Sequence, residues 1–175
     1  MRTDIVFTLT GTDRVGIVEE VTGVVLSLEG NVETSRMVRL GGEFALLMLV
    51  SLPAERIAEL DAVVAALLAQ GFRVTTSPTQ RTDAQHGGWL PYQVTVTGAD
   101  HEGIIHEIAG GLSQRGINIE SMDTGTAEAP VTGAPLFSMT ALVLVPPELP
   151  EDEWMAALAE AGDQANVDIE VSSSS

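Results

Sequence analysis

The chain has 175 residues, 45% hydrophobic and 4% aromatic, enough to bury a core and unlike the composition of a disordered segment. Acidic residues outnumber basic ones 25 to 8, and every basic residue is arginine; the net charge of −17 repels phosphate backbones and sets direct nucleic-acid binding aside. Without cysteine, disulfides, thiolate metal sites and cysteine nucleophiles are excluded together.

The start, Met1-Arg2-Thr3-Asp4-Ile5, puts an acid where a signal peptide needs apolar residues. The longest apolar run, Ala62 to Ala69, is too short to span a bilayer, so a cytoplasmic protein without membrane contact is expected. From Asp4 to Thr10, apolar residues alternate with polar ones (Ile5, Phe7, Leu9), predicting a strand. Gly11-Thr12-Asp13-Arg14-Val15-Gly16 follows as a turn bounded by glycines. Ile17, Val21, Val25 and Leu28 then recur at helical spacing, predicting a helix from about Val15 to Leu28 that Gly30-Asn31 stops.

Val32–Leu40 predicts a second strand, Gly41-Gly42 a two-residue hairpin, and Phe44–Val50 a third strand. That third strand is apolar on both faces, so it is expected to be central and covered on both sides. Pro53 closes it, Ile57, Leu60, Val64 and Leu67 mark a second helix that Gly71 stops, and Phe72–Thr76 predicts the last strand. The order is βαββαβ over a first module, 1–77.

Residues 78–91 lack any hydrophobic period and contain Pro78, Gly87, Gly88 and Pro91, the marks of a linker. A second module, 92–171, repeats the order. Its loop, Gly98-Ala99-Asp100-His101-Glu102-Gly103, stands 87 residues after the first, and this offset holds without a gap to Asn118-Ile119-Glu120 against Asn31-Val32-Glu33. Its predicted elements are strand Tyr92–Thr97, helix Gly103–Arg115, strands Ile117–Thr124 and Leu136–Val145, helix Glu151–Ala161 and strand Val167–Val171. An insertion within Ala127–Pro135 lengthens the second hairpin, and 172–175 is expected to be a disordered tail.

A duplicated βαββαβ chain predicts two ferredoxin-like α+β modules, each an antiparallel sheet with both helices on one face. The other face is left bare. Leu47, Leu49, Leu142 and Leu144 fall on it, so a homo-oligomer or packing between modules is expected.

The two loops suit an amino-acid zwitterion. Gly16 and Gly103 permit close backbone approach, amides at a helix start attract a carboxylate, Asp13 or Asp100 can pair with an ammonium, and Asn31 or Asn118 can bond beside it. The same residues also suit a structural role, aspartate as a helix N-cap and asparagine as a turn residue. His101 and His106 lie about 140° apart on a helix, unlike the i, i+4 pair that converges on one ion, so no metal site is expected. No nucleophile–base spacing, phosphate loop or dinucleotide fingerprint occurs, and neither catalysis nor a cofactor is expected.

With G-x-D-x-x-G after the first strand of each module and asparagine opening the second strand, the chain resembles tandem ACT-domain proteins. The second hairpin, Gly133 to Met139 running on to Val145-Pro146, is similar to two-ACT proteins of the glycine cleavage system transcriptional repressor type. The resemblance implies a non-enzymatic amino-acid sensor, of glycine or serine, that acts through a protein partner such as a DNA-binding protein. It implies ligand contacts at Gly11, Asp13, Val15, Gly16, Ile17 and Asn31, and at Gly98, Asp100, Gly103, Ile104 and Asn118. The family pattern has an apolar residue before the second glycine. Glu102 departs from it and can repel a ligand carboxylate, so the first loop is expected to be the better site. The alternatives are an interaction module without ligand, and a separately encoded regulatory half of an enzyme such as phosphoserine phosphatase or formyltetrahydrofolate deformylase.

Overall fold

The computed structural model describes residues 1–79, 86–130 and 133–174, and the chain divides into two compact units, Met1–Thr82 and Asp83–Ser175. The first contains β1 (Arg2–Thr12), α1 (Ile17–Ser27), β2 (Asn31–Leu40), β3 (Glu43–Pro53), a 3₁₀ turn (Ala54–Arg56), α2 (Ile57–Ala69) and β4 (Arg73–Pro78). The second contains β5 (Leu90–Ala99), α3 (Ile104–Ser113), β6 (Asn118–Glu128), β7 (Pro135–Val145), α4 (Glu151–Ala165) and β8 (Val167–Ser173). Each is a four-stranded antiparallel sheet, ordered β2-β3-β1-β4 and β6-β7-β5-β8, with both helices against one face: the ferredoxin-like α+β fold.

Burial follows the period of two. Ile5, Phe7 and Leu9 of β1 and Phe44, Leu46, Met48 and Val50 of β3 face Ile17, Val21, Val25, Leu60 and Leu67 of the helices. Val94 and Val96 with Met139, Ala141 and Val143 do the same against Ile104, Ile108, Leu112, Trp154 and Leu158. Gly41 and Gly42 both take positive φ, 58° and 86°, as the tight hairpin between β2 and β3 requires.

Three expectations need correction. β3 is central but covered on one side only: its other face carries half-exposed Leu47. The helix stop at Gly30 works differently, because Glu29 takes the left-handed conformation (φ 54°) while Gly30 makes room. A Cβ on Gly30 would lie 2.4 Å from a Leu52 methyl carbon. Of the expected loose tail, 172–174 is ordered and Ser175 lies outside the described residues: Ser172 and Ser173 pair with Gln93 and Tyr92, and the Ser174 amide donates to the Pro91 carbonyl at 3.0 Å. β5 offers a ladder there, and serine side chains do not oppose it. Of the expected linker, 80–85 lies outside the described residues, while Pro78 belongs to β4 and Leu90 and Pro91 to β5. Residues 131–132 of the second hairpin are likewise outside them.

Candidate functional site

Both loops between a first strand and a first helix are built alike. The backbone amide of the loop aspartate donates to the hairpin of the neighbouring strands: Asp13 to the Gly42 carbonyl (2.9 Å), Asp100 to the Pro135 carbonyl (3.0 Å). Gly16 (φ 93°) and Gly103 (φ 98°) then occupy the left-handed region, where other residues are strained, and their carbonyls accept the first helical bonds, from Glu20 and Glu107. These glycines hold the N-cap positions without any side-chain cap. Asp13 and Asp100 therefore do not cap: the turn after each sets it three residues back from the N-cap.

The residue after the aspartate latches each loop to the end of the module's second helix. Arg14 hydrogen-bonds Glu20 and, at 3.1 Å, the Gln70 side chain that follows α2, and it lies over the Phe72 ring at 5.3 Å. It holds the Glu20 carboxyl below its usual range, with Gln70 assisting. His101 occupies the equivalent position. Its Nδ1 lies 3.0 Å from the Glu102 carbonyl and its Nε2 2.6 Å from the carbonyl of Ala165, the last residue of α4.

Two carbonyls facing two ring nitrogens favour the imidazolium, which donates from both, and they raise the His101 pKa above its ordinary 6.5, Glu102 first and Ala165 second; the nearby Asp100 charge adds to this. Such a contribution is complete below the ordinary pKa and is lost as pH rises through the raised one. The melting temperature of the second module should fall over that interval, and His101→Gln should remove this step from the pH profile. An unchanged profile in the variant would show that the latch carries no proton linkage.

The modules differ in what faces the loop. In the first, Arg39 of β2 reaches back and pairs with Asp13, Nε to Oδ2 at 2.7 Å. In the second, the position equivalent to Arg39 is Thr126, and Asp100 is in no ion pair among the described residues. There the structure has an open cleft of about 840 Å³. One wall is the loop and the start of α3, with Asp100, His101, Gly103, Ile104, Ile105, His106 and Ala109. The other is Thr124, Gly125 and Thr126 of β6 with Phe137 of β7. The amides of Ile104, Ile105 and His106 precede the first bond within α3, so they have no helical partner.

Of the residues singled out from sequence, Asp100, Gly103 and Ile104 come together at this cleft. Glu102 is not among the residues that line it, although His101 and Gly103 on either side are. Gly98 and Gly11 have packing roles: a Cβ would lie 2.7 Å from Val167 and 2.6 Å from Phe72, respectively. Asn118 and Asn31 bond the acids two residues on, Glu120 (3.4 Å) and Glu33 (3.1 Å). Val15 is fully exposed and Ile17 is core. The sequence reading missed Arg39, Thr126 and Phe137; only strand register brings them opposite the loops. Among the described residues no group of three His, Asp or Glu side chains could hold a metal, and no helix is long and apolar enough to cross a membrane.

Residues 3–76 match the family model of the ACT domain. The chain is 32% identical to an unknown protein from Galdieria sulphuraria, covering 100% of both chains with a TM-score of 0.85. It is 24% identical to a candidate glycine cleavage system transcriptional repressor, covering 98% of this chain and 97% of that one, with a TM-score of 0.70; at that identity the likeness is one of fold. No curated protein sequence matches the chain. The match over the first module, a second module that repeats its loop, register and sheet order, and a relative similar from end to end make this chain a member of the ACT-domain family, with two modules.

Proposed function

We propose that this protein is a non-catalytic regulator that binds a small amino acid in the cleft of its second module. The observation that carries this reading is the Asp100 carboxylate, in no ion pair among the described residues, on the same cleft as helix-start amides without a helical partner: one charge for an ammonium and one dipole for a carboxylate. The first loop ranks second, because Arg39 already neutralises Asp13. This reverses the order expected from Glu102. Glycine or serine is the proposed ligand, by likeness to the glycine cleavage system repressor type. Its output passes through a protein partner, since a chain of −17 opposes direct contact with DNA.

A melting-temperature screen against the twenty amino acids tests this. A ligand held at a hundred times its Kd stabilises the folded state by about 2.7 kcal/mol, which should raise the second module's transition by several degrees. If no amino acid moves it, the sensing reading fails, and a module that works by contact alone takes its place.

A further inference from the structure

Strand register puts specific residues on the sheet faces that the helices leave open. In the first module, β2, β3, β1 and β4 bring Arg36, Leu47, Thr8 and Thr75 into one row, and Val38, Ala45, Thr10 and Arg73 into the next. In the second, β6, β7, β5 and β8 bring Asp123, Thr140, Thr95 and Glu170 into the row equivalent to the first of these, and Gly125, Ser138, Thr97 and Asp168 into the next. The charge is inverted at matching positions. Arg36 on edge strand β2 becomes Asp123 on β6, and Arg73 on edge strand β4 becomes Asp168 on β8, with Glu170 beside it. All five side chains belong to exposed residues, and among the described residues none is in an ion pair.

Between the charged edges the middle strands are uncharged in these rows and carry apolar side chains among threonines and serines: Val6, Leu47 and Leu49 beside Thr8 and Thr10 on the first sheet, and Leu142 and Leu144 beside Thr95, Thr97, Ser138 and Thr140 on the second. Leucines flanked by small uncharged side chains and rimmed by charge suit a protein interface, where charge is depleted at the centre and polar groups lie at the rim. The charge of the whole chain is also unevenly shared: the second module has a single arginine, Arg115, whereas the first has Arg2, Arg14, Arg36, Arg39, Arg56 and Arg73.

We propose that the open face of the first module's sheet in one copy of this chain seats against the open face of the second module's sheet in another copy. Packed sheets align their strands within about 30° of each other, so an edge strand lies over an edge strand. Whichever way round the second sheet lies, Arg36 and Arg73 then face Asp123 or the Asp168–Glu170 pair. Like faces are disfavoured: first on first brings arginines together, second on second brings acids together. The leucines supply the burial, and the inverted charges choose the partner face.

Sedimentation equilibrium of the whole chain at about 0.1 M salt should give a mass of at least two 18.4-kDa chains. Arg36→Asp with Arg73→Glu should weaken self-association at least tenfold, as should Asp123→Arg with Asp168→Arg in a separate protein. Mixing the two variants should restore association between them, since each supplies the face the other lost. Circular dichroism of each variant checks that these exposed substitutions leave the fold intact. A parent of single-chain mass overturns the proposal. So does an association that the reversals leave unchanged, which is what pairing through the free strand edges predicts, or a mixture that fails to associate although both variants are folded.

Discussion

Trp154→Ala should lower the melting transition of the second module by roughly 15–30 °C and leave that of the first nearly where it was. Trp154 is 1% exposed on the inner face of α4, and its ring meets Tyr92 edge-on with centroids 5.1 Å apart. Truncating a buried tryptophan costs about 3–5 kcal/mol, against a domain stability of about 5–15 kcal/mol, and each kcal/mol shifts a domain of this size by about 4–8 °C. The two cores share no residue, so the loss should stay local. Ile104 lies in that core and also lines the cleft, so stabilisation by ligand should weaken with it. Differential scanning calorimetry of the whole chain checks this. A shift of only a few degrees, or an equal shift of both transitions, would mean that the cores are not independent units of stability.

Asp100→Asn should weaken amino-acid binding about ten- to a hundred-fold, the roughly 1.5–3 kcal/mol of a charge-assisted hydrogen bond. Stability without ligand should hardly change, because Asp100 neither caps α3 nor sits in an ion pair among the described residues. Asp13→Asn should behave the other way. It breaks the pair with Arg39, whose side chain is 67% exposed, so it costs at most about 1 kcal/mol of stability and little affinity. Titration calorimetry on both variants, with melting curves of ligand-free protein, separates these cases. If Asp13→Asn binds tenfold worse and Asp100→Asn binds like the parent, the ligand sits in the first module.

Element order was legible in the sequence because it is written locally. Alternation along Ile5, Phe7 and Leu9, helical spacing along Ile17, Val21 and Val25, and glycines at 41, 42 and 71 report backbone conformation within a few residues. Sheet order followed as well, since right-handed crossovers allow a βαββαβ chain little else. The duplication also showed where two equivalent loops lie, and that aspartates sit in them.

What those aspartates do was decided only by tertiary structure. Capping looked natural for Asp13 and Asp100, but left-handed Gly16 and Gly103 insert a turn and move the helix start beyond their reach. The partner of Asp13 is Arg39 and that of His101 is the Ala165 carbonyl, groups brought near by hairpin register and by where a distant helix ends. The same holds for Gly30, whose missing side chain is needed because Leu52 packs there, and for the serines that lengthen β8 because β5 offers them backbone partners. Periodicity records which face a residue takes; it carries no information on which residue stands opposite. The cleft beside Asp100 and the charge inversion across the two sheets both depend on that second fact, so the fold could be read from sequence while the candidate site required the register.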